Sequence, residues 1–290
     1  MRLGKLEIYP VCDGYFKLDG GAMFGVVPKP LWSKRMPADE NNRIQMALFC
    51  LLIQTEGKNI LVNTGIGPDE KYPERFRQIY DIRHPPTLLT SLAEHHLKPE
   101  DINLIILTHL HFDHAGGNTS CKTTNTESQI PNQNNCIPAF PNAPYLVQKT
   151  EWEDATNPTE RTRASYRPEN IRPLKEHGVL QLLEGNCEIV PGVKVKITGG
   201  HTRGHQVILF ESEGKKGIFW SDLIPTTAHI DLPYIMGYDL YPEETLNAKK
   251  ELIEQAVAER WLCFWEHDPT INCGYLIRQD DRVQVIPYQA

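Results

Sequence analysis

The run Thr108-His109-Leu110-His111-Phe112-Asp113-His114-Ala115-Gly116-Gly117 places four metal-competent side chains within six residues. In an extended chain His109 and His111 project to the same side, because side chains alternate with a period of two. Asp113 and His114 lie just beyond, and Gly116 and Gly117 let the chain turn tightly there. Three imidazoles and a carboxylate suit zinc or a similar borderline divalent ion. Packed together for structure alone they would each need another partner, which makes an accidental cluster a costly alternative.

Later segments offer more ligands. Gly199-Gly200-His201-Thr202-Arg203-Gly204-His205 forms a glycine-rich turn after a strand-like stretch, Trp220-Ser221-Asp222 ends a second, and Trp265-Glu266-His267-Asp268 ends a third. Strand C-termini are where open sheets place their sites. No G-x-S-x-G nucleophile motif occurs, so the chemistry rests on the metal-competent groups.

These groups need a scaffold. Residues 3–11 read as a strand, with Asp13-Gly14 as a turn. Residues 20–43 read as a long irregular loop, yet they carry Met23, Phe24, Val26, Val27, Leu31 and Trp32, so the loop must cover something. The apolar runs 46–53 and 59–63 predict a hairpin of buried strands, and 102–107 predicts the buried strand that feeds the histidine cluster. Residues 118–137 are polar and read as an inserted loop, flanked by Cys121 and Cys136. Strand-like segments follow at 144–148, 179–198, 206–212 and 217–221, then a strand ending at His267 and a hairpin around Asp280-Asp281. Helices are expected at 87–97 and 243–261, the latter entered through Pro242 with early glutamates. Several neighbouring strands are joined by short turns, which favours mixed sheets over a doubly wound parallel one.

Composition narrows the partners. The 290 residues carry a formal charge of −7, against the basic stripe expected of a nucleic-acid binder. No run approaches the roughly 18 apolar residues of a spanning helix. The first residues lack the apolar core of an export signal, so a cytoplasmic location is expected, with reduced cysteines as the default and a clip between Cys121 and Cys136 as the alternative.

The motif set closely resembles the metallo-β-lactamase superfamily. HxHxDH is matched at 109–114, the GH-T-x-G-H element at 200–205, the strand-end aspartate at Asp222 and the terminal histidine at His267. The resemblance implies an α/β (α+β) fold, a four-layer αββα sandwich of two mixed sheets with outer helices. It implies one metal on His109, His111 and His201, a second on Asp113, His114 and His267, and Asp222 bridging both. His205 matches a position that is usually not a ligand and is read as supporting the site. Where the family has Asp-Thr-Gly, this chain has Asn63-Thr64-Gly65. Asn63 is expected to accept through its carbonyl oxygen without the charge, a change that typically costs about 10–100-fold in metal affinity.

The implied cofactors are two divalent ions, zinc first, with manganese, iron or cobalt accepted according to supply. The implied reaction is attack on an ester-type carbonyl by a hydroxide shared between them, with Asp113 passing a proton to the leaving group. The layout is most similar to the lactonase branch, although the Tyr that those lactonases carry shortly after the bridging aspartate is absent from residues 223–227. An aryl phosphotriesterase or thioesterase of the same fold is the alternative, and a non-catalytic metal-binding regulatory protein the alternative of another class. Met23, Phe24, Val26, Trp32 and His229 are the expected substrate contacts. Ligands spread from 109 to 267 in one cavity would make residues 1–290 one domain. The expected partner is a small ester or lactone, with no nucleic acid and no membrane; a homodimer is compatible with all of this.

Overall fold

The computed structural model describes residues 1–121 and 136–289. The chain carries two seven-stranded sheets. One runs, in order, Arg2–Leu3, Leu6–Asp19, Arg43–Thr55, Lys58–Val62, Leu104–Ile106, Tyr145–Gln148 and Leu180–Leu183. The other runs Cys187–Val190, Val193–Ile197, Gln206–Ser212, Lys215–Phe219, Leu262–Phe264, Cys273–Gln279 and Arg282–Pro287. Both mix parallel and antiparallel neighbours. This is the mixed α/β class with two large mixed sheets.

By contacts the chain divides into two compact units, residues 1–8, 17–47 and 185–290 in one, and 9–16 and 48–184 in the other. In the second unit the strands Lys58–Val62, Leu104–Ile106 and Tyr145–Gln148 pair in parallel. Such strands are covered on both faces, which explains their continuous apolar runs. Leu61, Ile105, Tyr145 and Val147 join Leu92, Trp152 and Leu174 in one buried cluster. In the first unit, helix Pro242–Ala258 lays Leu252, Ile253 and Ala256 against Val207, Ile218, Trp220 and Trp265.

Several expectations change. The strand from Leu6 runs straight through Asp13-Gly14 to Asp19, with Gly14 at φ 109°, so no turn forms there. Asp13 is instead buried and accepts from the backbone of Gly67 and Leu88. Residues 20–43 hold two short helices, Gly20–Phe24 and Lys29–Trp32, the first capped by the Asp19 carboxylate on the Ala22 N–H. The expected helices are shorter than read, Leu88–Glu94 and Pro242–Ala258, and the stretch 179–198 breaks into three strands.

Helices Lys149–Thr156 and Pro168–Glu176 were not anticipated. The second contains Pro173, which cannot donate to the carbonyl of Glu169 one turn earlier. The Thr119 hydroxyl takes that carbonyl at 2.9 Å, so the proline is tolerated.

Cys121 and Cys136 form a disulfide, against the expectation of reduced thiols. The reason is local pairing: Thr119–Cys121 and Cys136–Pro138 run antiparallel, with the two cysteines directly opposite. The rest of the polar insertion, 122–135, lies outside the described residues.

Candidate metal centre

The second unit builds one group of ligands. The strand Leu104–Ile106 delivers Thr108 and His109, and the short helix Phe112–Ala115 starts directly after His111. His109, His111, Asp113 and His114 are all buried. The His109 ring lies 4.6 Å from that of His111 and 4.0 Å from that of His114, and Asp113 Oδ2 is 3.6 Å from His114 Nε2. The four side chains lie side by side at the end of this strand, as their spacing in the sequence predicts.

The loop is braced from beneath. Glu151, fully buried, accepts from the Leu110 N–H at 2.9 Å and from the Tyr166 hydroxyl at 3.1 Å. Thr64 N–H donates to the His114 carbonyl and Gly116 N–H to that of Gly65. A Cβ at Gly116 would lie 2.0 Å from the Ile66 oxygen, so only glycine allows this approach.

Asn63 departs from expectation. Its carbonyl oxygen accepts from the Thr108 N–H at 2.9 Å, and its amide nitrogen faces His114 Nδ1 at 3.2 Å. The backbone donor claims the one amide oxygen, so the side that meets the histidine carries the hydrogens.

The first unit builds the other group. His201, Asp222 and His267 are buried. Asp222 places Oδ2 3.0 Å from His201 Nε2 and Oδ1 3.2 Å from His267 Nε2. The far nitrogen of each ring is held: His201 Nδ1 by Asp239 Oδ1 at 2.9 Å, and His267 Nδ1 by the Ala47 carbonyl at 2.8 Å. Acceptors at Nδ1 fix the tautomer that leaves Nε2 as the ligating nitrogen. Burial disfavours charge on His201, but Asp222 and Asp239 outweigh it and raise its pKa to about 10. A divalent ion bound here would supply the positive charge that these carboxylates otherwise draw from a proton.

The donor chemistry of these five buried imidazoles and two buried carboxylates fits divalent ions. His205 lies behind this set, its Nδ1 2.7 Å from the Thr198 hydroxyl. The expected substrate contacts behave differently from one another. Met23, Phe24, Trp32 and His229 are buried, with Phe24 stacked on Trp32 at 5.3 Å and on His229 at 4.4 Å. Val26 is 92% exposed. Sequence reasoning missed Asp239 and Glu151, which lie outside every motif although they bond to residues within two of them; the Gly-Tyr-Asp step before the helix at Pro242 is the local mark of the former.

Mixed sheets with buried His/Asp groups at strand ends fit a metal-binding protein whose site lies at the strand termini. The model of the Metallo-beta-lactamase superfamily matches residues 47–267, and the chain belongs to that superfamily. Its two large mixed sheets are those of the superfamily's sandwich fold. An N-acyl homoserine lactonase of Bacillus cereus is 31% identical over 239 residues, covering 78% of this chain and 83% of that protein. The structure of a probable metal-dependent hydrolase from Staphylococcus aureus superposes with a TM-score of 0.89 at 32% identity, covering 100% and 99% of the two chains. An N-acyl homoserine lactone hydrolase with N-hexanoyl-L-homoserine at its catalytic metal center gives a TM-score of 0.67 at 27% identity, covering 93% and 95%. The chain is a metallo-β-lactamase hydrolase with lactonases among its relatives. Among the described residues no helix is long and apolar enough to cross a membrane.

Proposed function

We propose that the protein is a dinuclear metal-dependent lactonase that opens N-acylated lactone rings. The observation that carries this reading is the Asp222 carboxylate, whose two oxygens each meet the Nε2 of a different, pre-oriented histidine. A carboxylate so placed would be able to serve two ions at once. The ligands we assign are His109, His111, Asp113, His114, His201, Asp222 and His267. A pair of divalent ions there, zinc first, supplies activated water and a Lewis acid for the carbonyl.

The chain's own residues do the rest. Asp239 and the Ala47 carbonyl hold His201 and His267 in the ligating tautomer. Asp113, beside His114, carries the proton to the departing alkoxide as the ring opens. Glu151 and Tyr166 keep the loop under Leu110 rigid. Met23, Phe24, Trp32 and His229 are buried, with Phe24 stacked on Trp32 and His229, and the exposed Val26 and Leu31 of the same stretch would offer apolar surface to an acyl chain. Similarity to curated lactonases over most of both chains supports the substrate class.

The test is a substrate panel with metal analysis. N-acyl homoserine lactones of several chain lengths, simple lactones, aryl esters, thioesters and aryl phosphotriesters are compared on the zinc-loaded chain. Lactones are expected to turn over fastest, and His109→Ala and Asp222→Ala to abolish hydrolysis and lower metal content. A chain that holds two metal ions yet opens no lactone overturns the substrate; normal turnover in either variant overturns the ligands.

A further inference from the structure

Helix Pro242–Ala258 turns two buried polar side chains, Thr245 and Lys249, to one face, four residues apart. The Thr245 hydroxyl donates to Asp239 Oδ2 at 2.7 Å. The other oxygen of the same carboxylate meets His201 Nδ1 at 2.9 Å, and the Asp239 side chain is 1% exposed. The backbone closes the same joint: Tyr241 N–H donates to the Gly200 carbonyl at 2.8 Å and Leu240 N–H to that of His201 at 3.2 Å. Gly200 sits at φ 76°, and a Cβ there would lie 2.2 Å from the Thr245 oxygen. Glycine is therefore what lets the ligand turn rest directly on the start of the helix.

A carboxylate is only an acceptor, so the imidazole nitrogen facing it must be the donor. One proton is thereby fixed on Nδ1, so Nε2, the nitrogen that faces Asp222, is the one that would give up its proton to a metal ion. Burial strengthens the pull of the carboxylate on the ring and makes Nε2 a better donor to a metal.

Resting on the assignment of His201 as a ligand, we propose that Asp239 is a positioning residue of the metal centre. It acts through His201, setting its tautomer, orientation and basicity, and Thr245 orients it in turn. The aspartate stands 38 residues from its histidine and in none of the superfamily's motifs, so its role comes from the folded geometry alone.

Chelator competition for zinc tests this, run on wild type, Asp239→Asn, Asp239→Ala and Thr245→Val, with urea unfolding of each metal-free chain alongside. Asparagine keeps the shape and can accept from His201 while its amide faces the hydroxyl, so it removes only the charge. Zinc affinity should fall about tenfold in Asp239→Asn and about a hundredfold in Asp239→Ala, the range of such supporting contacts. The absorption bands of the cobalt-substituted chain should shift in both. A purely structural tie between turn and helix would leave Asp239→Asn with wild-type zinc affinity and unshifted cobalt bands, and that result overturns the inference. Should Asp239→Ala not fold, Asp239→Asn decides alone. A wild-type chain that takes up no zinc overturns the ligand assignment itself, and this inference falls with it.

Discussion

The amide nitrogen of Asn63 stands 3.2 Å from Nδ1 of His114, while its carbonyl oxygen is held by the Thr108 N–H. An amide hydrogen facing Nδ1 makes that nitrogen the acceptor and moves the ring proton to Nε2, which lies 3.6 Å from Asp113. To ligate through Nε2 the ring must change tautomer and lose the contact with Asn63. An aspartate has an oxygen for each donor and removes the conflict. Asn63→Asp should therefore tighten metal binding about 10–100-fold, read by chelator competition. Unchanged affinity would show that Asn63 does not limit the site.

The contrast between Asn63 and Asp239 shows what the sequence could disclose. The HxHxDH run is legible because its ligands are contiguous and follow a buried strand, so local periodicity aims them. Asn63 is legible as a departure from pattern, but not the direction of its amide, which the Thr108 backbone decides after folding. Asp239 and Glu151 read as ordinary surface acids, since nothing near them in sequence reveals a partner 38 or 41 residues away. The apolar content of residues 20–32 is visible as letters. That Met23 and Phe24 meet His229, some two hundred residues on, is settled only by the fold.

His229 should make the protein acid-sensitive. Its Nε2–H donates to the Met23 carbonyl and its Nδ1 accepts from the Thr226 hydroxyl, so the ring is satisfied neutral. Burial depresses its pKa to about 3; the Met23 carbonyl pulls the other way, Lys249 adds to the depression, and Asp222 and Asp268 oppose it. With the folded pKa below the unfolded 6.5, the unfolded chain binds the proton first, and stability is lost as pH falls from about 6.5 toward 3. At pH 4.5 the loss is about 2–3 kcal/mol. Urea unfolding at pH 7.5, 5.5 and 4.5 checks it: wild type should lose more than His229→Gln, and parallel losses would sink the idea.

The disulfide should be worth measuring directly. Cys121 and Cys136 close a loop with a sequence separation of 15, and a staple of that span typically stabilises by about 3 kcal/mol. Reduction, or Cys121→Ser, should lower the urea midpoint accordingly, with the metal ligands untouched and zinc stoichiometry unchanged. An identical midpoint with and without reductant would mean that the thiols are not paired in solution.

Lys249 should be the most sensitive position on its helix. Its Nζ is buried and donates to three carbonyls, those of His229 at 2.7 Å, Asp231 at 2.9 Å and Tyr234 at 2.9 Å. An ammonium has three donors, so the match is complete. Burial nevertheless pulls its pKa down to about 7, against the opposing pull of Asp239 and Asp231. Lys249→Met keeps the volume and the apolar stem but strands three carbonyls, each costing about 1–3 kcal/mol and not additively. A net loss of about 3–5 kcal/mol is expected in urea unfolding, with faster hydrogen exchange across 229–234. Lys250→Met, one residue on and exposed, should change stability by no more than about 0.5 kcal/mol. Because Asp239 holds His201 from the same stretch of chain, Lys249→Met should also weaken zinc binding, whereas Lys250→Met should not. Equal effects from the two lysines would mean that the three carbonyls find water instead, and that the helix does not anchor the segment by this side chain.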